Sequence, residues 1–331
     1  MGSYILRRTV AGILVLLVVS FVVFILVALS GNPLALLYAN PRISPATIKA
    51  ARLALHLNQP LLERYWNWLL GMLHGSFGTS FAGQAVGPQL GQRLLVTVRL
   101  TIPVVIISVI LAVVIGVVGA VRQYHAVDYV STGLSYIFFA TPVFILALLL
   151  KDFLAVDVNQ WAGHTILYTV GTESPGLTGS TWTLFTNSIQ HMVLPVVTLV
   201  LVTYASWSRF QRASLLDVLN ADYIRLARAK GLSPRRVLFV HALRNALIPV
   251  TTVVALDFAG LLGGVIITEI IYSWNGMGTL FYNALAGGGS GISPDVYIVQ
   301  GWLIVAATAV IVFNIIADVL YAFLDPRIRY A

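Results

Sequence analysis

Long apolar runs dominate the sequence, and each has about the 20 residues that an α-helix needs to cross the hydrocarbon core of a bilayer. The runs are continuous, whereas strands of a membrane β-barrel alternate apolar and polar positions over about half that length. The pattern therefore predicts an all-α membrane protein with six transmembrane helices. The predicted spans are residues 10–29, 98–121, 132–150, 192–207, 247–271 and 297–323.

Composition supports a membrane protein, and the placement of charge predicts its orientation. Only 10% of the residues are charged and 58% are hydrophobic, whereas a soluble domain carries about 25% charged residues. Most of the 20 Lys and Arg residues fall in segments that share one side of the membrane if the N-terminus is cytoplasmic. Short cytoplasmic loops are rich in such residues, so we expect both termini in the cytoplasm. The net charge of +8 is thereby explained without nucleic-acid binding.

Three regions outside the spans are long enough to fold. The first is an extracytoplasmic region at residues 31–97. It contains an amphipathic stretch at 45–57 and an aromatic stretch at 65–73, and these two stretches predict short helices. The others are an extracytoplasmic loop at 151–190, rich in Gly, Ser and Thr, and a cytoplasmic loop at 209–246. Residues 1–30 form the first segment, and 98–331 form the predicted core with five spans.

The cytoplasmic loop has the most specific local pattern. Residues 221–230 are mostly good helix formers, and Gly231 follows where a glycine ends a helix. Ser233 and Pro234 then match the start of a second helix. The sequence therefore predicts a short helix, a sharp break and another helix.

The short helix carries a basic face. Arg225 and Arg228 are three residues apart and therefore lie on one side of a helix. Such a face could contact anionic lipid headgroups, or it could dock on a soluble partner. The residues alone favour neither alternative.

Carboxylates inside predicted spans are costly in lipid and therefore mark candidate functional positions. Asp257 lies about two turns into the fifth span, where it could line a cavity or bond to a neighbouring helix. Glu269, near the outer end, could act in gating, although pairing with the turn at 274–278 is favoured. Asp318 could reach the interface or pair with Arg327.

Three glycines and the histidines are the remaining candidates for helix packing and for metal binding. Gly260, Gly263 and Gly264 permit close helix packing, either with a partner subunit or within this chain. The histidines lack the spacing of metal ligands, so no metal site is predicted.

The chain resembles the membrane subunits of binding-protein-dependent ABC importers, and within them the first permease subunit of dipeptide and oligopeptide systems. The resemblance runs through nearly the whole chain and includes Gly-Ser-Phe-Gly-Thr-Ser at 75–80 and Ala-Thr-Pro at 140–142. The matching segments are residues 4–8, 55–61, 75–80, 140–142, 222–233, 241–249, 263–264, 269, 274–278 and 324–327.

The cytoplasmic loop departs in part from the family's general motif of Glu-Ala-Ala followed by Gly. Ala227 and Gly231 match it, whereas Arg225 and Leu226 replace its first two residues and Arg244 replaces a proline. Peptide-type members resemble this variant. The resemblance assigns coupling to an ATPase to Asp222, Tyr223, Arg225, Ala227, Arg228, Ala229, Lys230, Gly231, Arg235 and Arg244.

The resemblance implies a type I importer permease fold in a bacterial cytoplasmic membrane. It implies a second permease subunit, two ATPase subunits or one fused ATPase, and an extracytoplasmic substrate-binding protein as partners. ATP and Mg²⁺ would bind to the ATPases and no cofactor to this chain. The resemblance implies import of dipeptides and oligopeptides, and the alternative is a nickel or glutathione permease of the same family.

Two other classes of protein fit less well. None of Lys49, Lys151 and Lys230 follows a phosphate-binding glycine loop, so the chain has no predicted ATP site of its own. An intramembrane enzyme would need paired acids or an activated nucleophile, and an ion-driven carrier or channel often shows inverted repeats with broken helices. Neither pattern is evident in the sequence.

Overall fold

The computed structural model describes residues 2–30, 34, 37–38, 41–54, 56–80, 83–286 and 294–324. The surroundings of Gly260, Gly263, Gly264 and Arg327 lie outside the described part of the chain. The helices are α1 (Gly2–Ser30), α2 (Pro45–Ala54), α3 (Leu61–Leu73), α4 (Val86–Val121), α5 (Ala126–Ala140), α6 (Val143–Leu149), α7 (Val156–Ala162), α8 (Thr181–Leu219), α9 (Asp222–Ala229), α10 (Pro234–Arg236), α11 (Leu243–Ile271), α12 (Met277–Leu285) and α13 (Val296–Leu324), with π-helical segments at Leu150–Ala155 and Val237–Ala242.

Within the described residues, five helices are long and apolar enough to cross a membrane, and a bent pair makes a sixth span. The bent pair joins Ala126–Ala140 to Val143–Ala162 at an angle of 106°. The break falls at Thr141 and Pro142, because a proline disfavours helical geometry in the residue before it. The predicted count of six spans is thus confirmed if the bent pair is one span, although the third is not the straight helix expected at 132–150.

The predicted loop at 151–190 is wrong at both of its ends. Its first part continues as a π-helix and α7, and its last ten residues begin α8. Ser180 caps α8 by accepting a hydrogen bond from the Thr183 backbone N–H at 3.2 Å. Thr, Asn, Gln and His side chains in the first turns of α8 lower its hydropathy, which hid this extension from the apolar pattern. Only residues 163–180 lack helix, as predicted.

The chain divides into two compact units, which are described separately. One unit comprises Met1–Arg8, Val98–Trp274 and Val312–Ala331. In this unit α8 packs against α5 and α11. Gly116 of α4 allows close packing because a Cβ added there would lie 2.7 Å from the Gln211 side chain on α8. Tyr272 is fully buried, and its hydroxyl oxygen forms a hydrogen bond with Thr198 Oγ1 at 2.9 Å.

The second unit comprises Thr9–Thr97 and Asn275–Ile311. Its core is formed by the N-terminal part of α4 together with α12 and the start of α13. Aromatic side chains of α1 and α3 also meet, and the Tyr65 hydroxyl lies 2.9 Å from Ser20 Oγ. Helices α2 and α3 confirm the two short helices that the sequence predicted between the first two spans.

Candidate functional site

Helix α9 exposes most of its surface to solvent, and its two buried residues pack against the rest of the unit. Ile224 and Ala227 are its buried residues, and they join an apolar cluster with Leu215 of α8 and with Val237 and Ala242 of the following π-helix. The cluster also includes Ala120 of α4 and Ala246 of α11, so α9 is packed against four other helical elements.

The end of α9 is stabilised by a glycine cap. Gly231 has φ +77°, and its N–H donates to Arg228 O at 2.9 Å, while the Leu232 N–H reaches Ala227 O at 3.4 Å. This pair of bonds is a Schellman motif, which needs a left-handed residue after the helix. The predicted break is confirmed here, and α10 then begins at Pro234 with Ser233 at the N-cap position. The Ser233 side chain makes no capping hydrogen bond.

The outward surface of α9 mixes apolar and basic groups. Tyr223 and Leu226 are 44% and 56% exposed, and the Asn245 side chain donates to the Tyr223 hydroxyl at 2.9 Å. Asp222 and Arg225 form an exposed ion pair at 3.5 Å. The exposed residues of the predicted coupling set are Asp222, Tyr223, Arg225, Arg228, Ala229, Lys230, Gly231, Arg235 and Arg244, whereas Ala227 is buried.

A second feature of the same unit is a cavity of about 270 Å³ between α5, α6, α8 and α11. Asp257 lines it and accepts a hydrogen bond from Trp207 Nε1 at 2.9 Å. Thr203 and Ser206 add hydroxyl groups to a wall that is otherwise mainly apolar. Asp257 therefore bonds to a neighbouring helix and also borders a cavity, and its contact with substrate stays a prediction.

Comparison with known proteins assigns the fold and the family. Residues 109–330 match the family described as binding-protein-dependent transport system inner membrane component. Residues 1–98 match the N-terminal family of the same transport-system membrane component. The chain belongs to this family. It is a multi-pass protein of the bacterial inner membrane.

Individual relatives cover the whole length of this permease. It is 39% identical over 330 residues to the oligopeptide transport system permease protein OppB of Mycobacterium tuberculosis (strain ATCC 25618 / H37Rv), covering 99% of both chains. It is 35% identical over 331 residues to the glutathione transport system permease protein GsiC of Salmonella choleraesuis (strain SC-B67), covering 100% of both. A chain from the MetNI methionine ABC transporter in an inward-facing conformation superposes with a TM-score of 0.53 at 16% identity, covering 72% of the permease and 96% of that chain. The importer permease fold is therefore confirmed.

Glu269 lies away from the Asp257 cavity. Its side chain is fully buried near the end of α11, and its backbone carbonyl accepts from the Trp274 N–H at 2.7 Å. This backbone bond does not involve the Glu269 carboxylate, so the expected pairing of that side chain with the turn at 274–278 stays a prediction.

Asp318 has a partner that the sequence did not suggest. Its carboxylate lies 3.2 Å from Arg8 Nε near the start of α1. The expected partner Arg327 is close in sequence, but it lies outside the described residues. No local pattern links residues 8 and 318, because the pair depends on how α1 and α13 are arranged.

The permease also contains an ion pair that sequence reasoning missed. Arg212 of α8 donates two hydrogen bonds to Asp128 of α5, at 2.6 and 2.7 Å. The Asp128 side chain is only 4% exposed, and its carboxylate also accepts from the Tyr124 N–H at 3.1 Å. Gly119 makes room for the pair, since a Cβ there would lie 3.2 Å from both Asp128 and Arg212.

Proposed function

We propose that this chain is one of two permease subunits of an ATP-driven importer of dipeptides and oligopeptides. The observation that carries the proposal is the relatedness to OppB along 99% of both chains. A second permease subunit, two ATPase subunits or one fused ATPase, and an extracytoplasmic binding protein complete the transporter. ATP and Mg²⁺ bind to the ATPases, and this subunit performs no hydrolysis.

Helix α9 is the contact with an ATPase subunit. Exposed Tyr223 and Leu226 supply apolar anchors, while Arg225, Arg228 and Lys230 supply donors for an acidic or carbonyl-lined groove. An ATP-driven movement of the groove would shift α9 together with the apolar cluster that holds it. Because that cluster includes the end of α8, the shift would reach the helix that lines the Asp257 cavity.

Both termini are proposed to lie in the cytoplasm. The Arg8–Asp318 pair supports one shared side for both ends, because it joins the start of the first spanning helix to the last turns of the final one. Two such ends meet on one side of the membrane only when the number of spans is even. The choice of the cytoplasmic side rests on the placement of Lys and Arg. Gly260, Gly263 and Gly264 are proposed to contact the second permease.

The cavity at Asp257 is proposed to lie on the substrate path. A carboxylate beside hydroxyl groups in a mainly apolar wall suits the charged amino end and the side chains of a peptide. The second function that a specific observation favours is glutathione import, since a glutathione permease is related at 35% identity along the full chain.

Asp257 variants separate substrate contact from a structural role. Asp257→Asn removes the charge but can still accept from Trp207 Nε1, whereas Asp257→Leu removes both. If the carboxylate meets the peptide's amino end, Asp257→Asn already weakens apparent peptide affinity by about threefold to tenfold, as expected for one exposed charge contact. Uptake titrations with peptides and with their N-acetylated forms measure this. Unchanged affinity in Asp257→Asn, with loss only in Asp257→Leu, would contradict substrate contact.

Substrate class is tested by uptake into proteoliposomes that contain the complete transporter. Labelled dipeptides, tripeptides, longer peptides and glutathione are compared, each with ATP and with a non-hydrolysable analogue. The proposal expects ATP-dependent accumulation of peptides. Accumulation of glutathione alone would favour the second function, and equal uptake with the analogue would contradict an ATP-driven importer.

A further inference from the structure

The second unit contains a cavity of about 380 Å³ that the import mechanism does not use. It is bounded by the end of α1, by α3, by residues 76–79 and by the start of α13. Two segments singled out in the sequence, 55–61 and 75–80, both contribute to its wall through His56, Leu57, Ser76 and Thr79. These segments therefore build one site.

The wall of this cavity is fixed by a turn with unusual backbone geometry. Gly78 has φ +90° and packs so closely on Tyr297 that an added Cβ would lie 3.0 Å from the ring. The Ser76 N–H donates to Gly71 O at 2.9 Å, which joins the turn to the end of α3. The turn is thus held to both α3 and α13, so the cavity is preformed.

The polar groups of the cavity are suited to a ligand with negative charge. Gln300 is only 3% exposed, and within the described residues its Nε2 donor has no hydrogen-bond partner. A buried amide without a partner is costly, so its position in the wall favours an acceptor on a ligand. Arg64 and His56 also line the cavity, and no acidic side chain among the described residues does.

We propose that this cavity binds the headgroup of an anionic phospholipid, with the phosphate accepting hydrogen bonds from Gln300 and Arg64. Phe24, Val27 and Ala28 of α1 form the apolar side of the site, next to the end of a helix that crosses the membrane. On α1, Leu26 and Leu29 are 61% and 75% exposed, so acyl chains can continue along this helix. The volume of about 380 Å³ lies in the range of small-ligand sites.

Anionic rather than zwitterionic lipid is favoured by the charges of the wall. A choline or ethanolamine headgroup carries a cation, which would lie near Arg64, and no carboxylate among the described lining residues would balance it. A phosphatidylglycerol headgroup carries only the phosphate charge and adds hydroxyl groups. Removing Arg64 or the Gln300 amide is therefore expected to lower the affinity for anionic lipid by about tenfold or more, the usual effect of losing one hydrogen bond to a charged group.

Native mass spectrometry of the purified, delipidated transporter tests the proposal directly. The complex is titrated with phosphatidylglycerol, with phosphatidylcholine and with soluble glycerol phosphate. Arg64→Gln and Gln300→Leu are compared with Arg52→Gln, which removes an exposed arginine of α2 outside the cavity. We expect one tightly retained phosphatidylglycerol in the wild type and in Arg52→Gln, and at least a tenfold loss in both cavity variants.

Three outcomes would overturn the lipid assignment. Retention of phosphatidylglycerol in both cavity variants at the wild-type level would exclude the cavity as its site. Equal retention of phosphatidylcholine would exclude selection for a negative headgroup. Binding of glycerol phosphate as tight as that of the lipid would assign the cavity to a soluble phosphate compound. A thermal unfolding scan of each variant without lipid shows whether its fold is intact, and Arg64→Gln alone suffices if Gln300→Leu is unstable.

Discussion

Gly231→Pro is expected to abolish peptide uptake while the subunit still inserts and assembles. Gly231 has φ +77° and donates its N–H to Arg228 O, whereas proline fixes φ near −65° and has no N–H. The substitution therefore removes the cap of α9 and redirects the chain toward α10, at a cost of more than about 1 kcal/mol. Uptake below about a tenth of the wild-type rate is expected. ATP hydrolysis is expected to persist but to lose its dependence on the binding protein.

The matched control is Gly163→Pro at the end of α7. Gly163 is also the left-handed residue after a helix, with φ +70°, and its N–H donates to Gln160 O at 3.2 Å. Among the described residues, no atom lies within 4 Å of a Cβ added at either glycine, so the two substitutions introduce a similar backbone strain. Comparable loss of uptake in both variants, at equal amounts of assembled complex, would contradict a specific role for α9 in coupling.

Asp128→Asn is expected to cause a large loss of stability. The substitution leaves the Arg212 guanidinium without its charge partner between α5 and α8, where the Asp128 side chain is 4% exposed. Removing one partner of a buried ion pair costs about 3 to 5 kcal/mol. We therefore expect a clearly lower midpoint of thermal unfolding for the detergent-solubilised subunit and less protein in the membrane.

Two further variants make the ion-pair prediction specific. Asp222→Asn removes the carboxylate of the Asp222–Arg225 pair, whose side chains are 98% and 70% exposed, and its effect on unfolding should be under about 1 kcal/mol. The double variant Asp128→Asn with Arg212→Gln removes the unpaired charge and should recover part of the stability. A double variant less stable than Asp128→Asn by the full effect of Arg212→Gln would show that the two side chains act independently.

The sequence predicted those features that depend on local order. The spans follow from apolar runs, and the break after α9 follows from Gly231 and Pro234, which the structure places at a helix cap and a helix start. The buried face of α9 at Ile224 and Ala227 does not follow from residue type alone, because Leu226 and Ala229 of the same helix are also apolar or small and are exposed.

Features that depend on tertiary arrangement were not predictable in this way. Asp128 and Arg212 are 84 residues apart, and no local pattern links the two. The expected partner of Asp318 was chosen by proximity in sequence, whereas the contact with Arg8 arises from the packing of distant helices. The start of α8 was missed because its first turns are polar enough to resemble a loop.

Site-specific cross-linking from α9 tests the central claim most directly. The chain contains no cysteine, so Ala229→Cys provides a single attachment point for a photoactivatable group at an exposed position of α9. Trp161→Cys, at a residue that is 88% exposed on α7, is the control on the proposed extracytoplasmic side. In the assembled transporter, the account predicts a cross-link from Ala229→Cys to an ATPase subunit and none from Trp161→Cys. The absence of an ATPase cross-link from Ala229→Cys, or an equal yield from both positions, would contradict it.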